Sequence, residues 1–195
     1  MQTTLNKIRA HSPCKTGWEK LLKHLGKTKA DDEPLALLTI LDSNGLDDAL
    51  WCLRAVNGRD KEISLYAVWC ARQVQHLMID ARSISAIYVA ERYANGEATE
   101  EELAEAGAAA WAAAMAAMAA GDAAGAAGDA ARAAGYAARA AWDATGDATG
   151  DAWDAARGTA SDAAGAAAWT AAWTGARDAQ AARLREVCNE VQGAL

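Results

Sequence analysis

The chain has 195 residues, no Phe, and 26 Asp and Glu against 19 Lys and Arg, a net charge of −7. That length suits one domain or two small ones with a modest core. No apolar run approaches the roughly 18 residues of a membrane-spanning helix, the N-terminus lacks a signal-peptide core, and Cys14, Cys52, Cys70 and Cys188 form no C-x-x-C pair, so a cytoplasmic protein with reduced thiols is expected.

The first hundred residues read as a compact helical module. Trp18, Leu21, Leu22 and Leu25 fall at i, i+3, i+4 and i+7, which predicts an amphipathic helix over 16–25 with Lys20, Lys23 and Lys27 outside. Residues 27–33 form a polar connection, and Pro34 suits the first turn of a helix over 35–41. Asp42-Ser-Asn-Gly45 is a turn signal. Helices over 46–56 and 63–79 follow, separated by Asn57-Gly58. Ser83 is placed to cap a further helix, which Asn95-Gly96 ends with a left-handed stop. No alternation of period two is long enough to predict a sheet, so the fold class is all-α, a helical bundle followed by alanine-rich, closely packed helices.

Thr99-Glu-Glu-Glu102 is a capping box, and it marks the boundary between a 1–98 module and an acidic 99–195 module. Beyond it runs an alanine tract with one stripe of other residues. From Trp111 through Met115, Asp122, Asp129, Arg132, Tyr136 and Asp143 to Gly158, Asp162, Trp173, Gln180 and Leu184, 20 steps cover 73 residues, or 3.65 residues per step. That is a helical period. Nine glycines lie between Gly121 and Gly175, each costing about 1 kcal/mol in a helix interior. They favour several helices folded back on one another over one bent rod. Breaks are expected at Gly121-Asp122, over 145–150 and at Gly158-Thr159. Residues 1–100 hold 13 basic and 13 acidic side chains, so the whole −7 sits on residues 101–195, with 6 Arg against 13 Asp and Glu. Such a surface does not grip phosphate, and direct nucleic-acid binding is not expected.

The acidic run Asp143, Asp147, Asp151, Asp154 and Asp162 is the candidate partner-binding face, with Trp142 and Trp153 beside it. Asp pairs at i, i+4 repel by a few tenths of a kcal/mol. The run is either a solvated face that keeps an alanine-rich helix soluble or a surface for a basic partner. A single helix offers a carboxylate per ~6 Å, whereas duplex DNA carries a charge per ~1.7 Å, so mimicry of DNA would need neighbouring acidic helices or a homodimer. Trp111, Trp142, Trp153, Trp169 and Trp173 are either helix–helix anchors or exposed contacts. His11 with Cys14, and His24 with His76, match no common zinc spacing. His76 is expected in a polar core network with Arg72 and Gln73. The Trp51-Cys52 and Trp69-Cys70 pairs read as helix core. No catalytic residue, metal or cofactor is expected.

Several segments are distinctive: Arg9-Ala-His-Ser-Pro-Cys14, Leu21-Leu-Lys-His-Leu-Gly-Lys27, Asp31-Asp-Glu-Pro-Leu35, the stretch from Leu38 to Arg54, Tyr66-Ala-Val-Trp-Cys-Ala-Arg-Gln-Val-Gln-His-Leu-Met78, and the stretch from Val89 to Leu103. With the alanine-rich tail, they resemble an immunity protein family (immunity family five-like) of bacterial genomes and bacteriophages. The resemblance implies an all-helical, non-enzymatic protein that binds and blocks a toxin; counter-defence in a phage, for example against a nuclease or CRISPR-type system, extends it. The expected function is therefore neutralisation of a protein with a basic surface (a toxin, nuclease or defence effector), without membrane or cofactor. The rival reading is a structural, self-assembling helical protein with no foreign target.

Overall fold

The computed structural model describes residues 1–119, 129–130, 132–138, 158–163, 165–166 and 173–193. The protein is all-α. Helices α1 (Leu5–Ala10), α2 (Lys15–Leu25), α3 (Leu37–Asn44), α4 (Leu46–Cys52), α5 (Asp60–Gln73), α6 (Ala81–Ala94) and α7 (Glu100–Ala119) precede a C-terminal helix, Trp173–Gly193. Single 3-10 turns, Leu53–Ala55 and Gln75–Leu77, follow α4 and α5.

Local chemistry sets most of these boundaries. Leu21 is buried on the inner face of α2, with Trp18, Leu22 and Leu25 packed on the same core. The helix starts one residue earlier than the apolar spacing suggests, because the Gly17 N–H donates to Cys14 Sγ at 3.4 Å. It stops at Gly26, whose φ of 64° is costly for any residue with a Cβ. Lys27 then donates to Asp31 (2.5 Å) and Glu33 (2.6 Å), pinning the connection. Pro34 precedes two extended residues instead of opening a helix. There β2 (Leu35–Ala36) pairs antiparallel with β1 (Gln2–Thr3), and Leu37 N–H donates to Met1 O at 3.1 Å. Two residues are too few to show a period, so sequence patterning misses this ladder.

The cap of α6 is Asp80, not Ser83. The Arg82 N–H and guanidinium both donate to Asp80, which lowers its carboxyl to about 2. Ser83 lies one turn inside, fully buried. Asn95-Gly96 ends the helix as its sequence suggests. The capping box is formed in both directions: Thr99 N–H donates to Glu102 Oε2 at 2.8 Å, and Glu102 N–H to Thr99 Oγ1 at 3.2 Å.

From α7 onward the chain folds back on itself. Gly107 faces Ala138 and Trp111 faces Gly135, so α7 and helical residues 132–138 run antiparallel. Tyr136 sits on Gly158, Arg132 meets Asp162, and Asp129 lies beside Gly165, an antiparallel register again. Gln180 then joins the C-terminal helix to Ala160. Because α7 packs along α6, α6 on α5, and the C-terminal helix on α3, α4 and α5, the bundle closes into one core. That core crosses the 98/99 boundary without a break.

The glycines are seats for rings. Trp111 and Tyr136 meet edge to face, with centroids 5.0 Å apart. A Cβ on Gly135 would lie 3.1 Å from the Trp111 ring, and one on Gly158 3.0 Å from Tyr136. Gly158-Thr159, expected as a break, is helical. The other two expected breaks lie outside the described residues.

Helix propensity and packing therefore make opposite predictions for Gly→Ala. Gly135→Ala and Gly158→Ala should each destabilise by about 1–3 kcal/mol through overpacking. Gly175→Ala, on an exposed helical site with nothing within 4 Å, should stabilise by about 0.5–1 kcal/mol. Urea midpoints of the three variants measure the difference; stabilisation by all three would remove the ring-seat account.

Candidate partner-binding surface

A buried junction ties the C-terminal helix to residue 160 and to α5. Gln180 is 2% exposed, and its side-chain amide donates to Ala160 O at 2.8 Å. Its side-chain oxygen accepts from Arg177 Nη1 at 3.1 Å, and its backbone carbonyl accepts from the Tyr66 hydroxyl of α5 at 3.3 Å. Burial pushes the Tyr66 hydroxyl well above its ordinary pKa, with the Cys70 thiol adding to the effect. Tyr66 is therefore a fixed donor. Arg177 also reaches Asp47 in the first turn of α4, and Arg185 reaches Asp42 of α3 at 2.5 Å.

These contacts redistribute charge. Two arginines of the acidic half neutralise carboxylates of the first half. Arg183 is shared by Glu186 (2.9 Å) and Glu190 (3.3 Å), and Arg132 by Asp129 and Asp162. Glu100, Glu101 and Glu105 on α7, and Asp178 on the C-terminal helix, are exposed. The described part of this half thus turns carboxylates outward while its described arginines are engaged in ion pairs.

Of the residues singled out in the sequence as partner-binding, Asp143, Asp147, Asp151, Asp154, Trp142 and Trp153 lie outside the described residues. Asp162 is described, and it turns inward. Its carboxylate accepts from Arg132 Nε at 3.2 Å, with the side chain 20% exposed. Burial raises its pKa above the ordinary carboxylate value, with Arg132 opposing the shift. Trp111 is a helix–helix anchor.

His76 also departs from expectation. It lies on the 3-10 turn after α5 and is exposed, because that turn points Val74 and Met78 into the core and leaves His76 on its outer side. Arg72 pairs instead with Glu91 of α6 and stands over Tyr88, 4.9 Å from its centroid. Among the described residues no three His, Cys, Asp or Glu side chains converge as a metal site would require. Burial pushes the Cys52 and Cys70 thiols up to about 12, in Cys52 with help from Asp48, and it also raises Cys188. Cys14 alone among the cysteines is exposed.

Two measurements check this arrangement. Gln180→Leu leaves Ala160 O without its side-chain donor, and should cost about 2 kcal/mol. Asp47→Asn removes an ion pair whose carboxylate is 85% exposed, and should cost less than about 1 kcal/mol. Equal effects on the urea midpoint would mean that the junction does not hold the two halves together. Alkylation at pH 8, read by mass spectrometry, should modify Cys14 quickly and the other three thiols only after unfolding.

No helix among the described residues is long and apolar enough to cross a membrane. Comparisons with protein-family models, with curated proteins and with solved structures return no match for this chain.

Proposed function

We propose that the chain is a non-enzymatic, cytoplasmic binding protein that neutralises a protein with a basic surface, such as a toxin, a nuclease or a defence effector. The observation that carries this reading is the separation of charge. The whole net −7 belongs to residues 101–195, and the described arginines of that half are engaged in ion pairs. An uncompensated acidic half attracts a basic partner from a distance. Such attraction raises the association rate and selects the partner, while tight anchoring falls to aromatic contacts.

The partner contacts proposed are Asp143, Asp147, Asp151 and Asp154 with Trp142 and Trp153, joined by the exposed glutamates at the start of α7. Asp162 contributes through Arg132 and the fold, not by direct contact. A binding role also suits the thiols, since burial holds Cys52 and Cys70 as neutral SH groups, far from nucleophilic thiolates.

The test is capture of a partner from host lysate, followed by association kinetics across a salt series. Replacing Asp143, Asp147, Asp151 and Asp154 together by Asn should keep the helical circular dichroism. It should also slow association by about tenfold at low salt and flatten its salt dependence. Unchanged kinetics would remove the acidic surface from the interface. Open-ended assembly of the protein alone, seen by light scattering, would favour the self-assembling reading instead.

A further inference from the structure

A half-open pocket of about 90 Å³ lies in the first half, among α1, α2, α3 and α4. Trp18, Leu21, Ile40 and Trp51 supply apolar walls, and Asn44 and Asp48 supply a polar edge. That edge is held in place. The Asn44 side-chain amide donates to Gly17 O at 2.8 Å and to Asp48 Oδ2 at 2.7 Å. Gly17 lets the carboxylate come close, for a Cβ there would lie 2.8 Å from Asp48 Oδ2. Asp48 sits in the first turn of α4. Among the described residues no Lys or Arg forms an ion pair with it.

We propose that this pocket binds a small alkylammonium compound. The aliphatic stem lies against Leu21 and Ile40, and the ammonium donates to Asp48 beside the Trp18 ring. Size, charge and wall chemistry agree on this class. A cavity of about 150 Å³ holds benzene, so 90 Å³ suits about four or five heavy atoms. Indole faces attract cations, and Trp51 already carries the Arg54 guanidinium 3.9 Å from its ring centroid. An anion would be repelled by Asp48. A neutral ligand would take water from that carboxylate without replacing its charge. The pocket belongs to residues 8–52, so this proposal is independent of the acidic half and of its partner.

The experiment is an NMR titration of the full chain with n-butylammonium, 1-butanol and butyrate. The indole N–H signals of Trp18 and Trp51 are assigned from Trp→Phe variants. Butylammonium should shift both signals and bind at least about tenfold more tightly than butanol, and butyrate should not bind. Asp48→Asn keeps an oxygen to accept from Asn44 and should bring butylammonium to within about twofold of butanol. Should that variant fail to fold, Trp18→Leu decides, with an expected loss for the ammonium at least about fivefold greater than for the alcohol. The proposal is overturned if butanol binds as well as butylammonium, if the preference survives Asp48→Asn, or if Trp18→Leu weakens both alike. Shifts arising away from Trp18 and Trp51, or no shift at all, would overturn it equally.

Discussion

The alanine-rich half is held in place by closure onto the first half. A buried methyl group removes little surface from water, and at roughly 25 cal/mol per Å² it contributes only a fraction of what a leucine does. The large buried side chains of the described second half are few: Leu103 on α7 and Leu184, Val187 and Val191 on the C-terminal helix. These lie on helices that pack against α6 and against α3–α5. Between them, Ala130, Ala133, Ala134, Ala137, Ala160, Ala163 and Ala166 are buried but small. The Gln180 junction matters because it couples this weakly stabilised middle to Tyr66. A buried amide with its hydrogen bonds made also defines register, since a slip of one turn would leave those groups unpaired in an apolar interior.

Small residues stabilise such a bundle only by allowing close approach. Dispersion falls steeply with separation, so a gap of even 1 Å forfeits a quarter to a half of each contact. Gly135 and Gly158 bring helix backbone against the Trp111 and Tyr136 rings, and these rings supply the area that alanine cannot. The helix-propensity cost of each glycine is thereby offset where a ring lies over it. The same reasoning separates Gly175, which has nothing over it.

Much of the fold was legible in the sequence where a single residue type settles local geometry. Gly26 and Gly96 end helices with positive φ, and Thr99 with Glu102 starts α7 by reciprocal bonding. The spacing of Trp18, Leu21, Leu22 and Leu25 identified the inner face of α2. The misses have a common cause. Cys14 capping α2, Asp80 displacing Ser83, the ladder of Thr3 with Leu35, and the exposure of His76 to solvent all depend on where the backbone arrives. Each involves a choice among two or three nearby residues able to do the same work, and long-range packing makes that choice. The Trp18–Asp48 pocket was hidden for the same reason: its walls come from four helices, and no spacing along the chain records their meeting.

The stripe of period 3.65 shows the limit of periodicity most clearly. Any face of a helix repeats at that interval, so the period alone does not distinguish decoration facing water from a line of contacts facing another helix. In the described part of the stripe, Trp111 and Tyr136 touch each other, Arg132 draws in Asp129 and Asp162, Gln180 bridges to Ala160, and Leu184 is buried. Met115, by contrast, is exposed. The discriminating signal was present in the residue types. A solvated face gains nothing from glycine, and each glycine weakens its helix. An inward line gains from glycine wherever a ring must fit across it, as at Gly158, or a carboxylate must come close, as at Gly165 beside Asp129. At Gly158 and Gly165, glycine in phase with an aromatic or a charged residue therefore marks an interior seam.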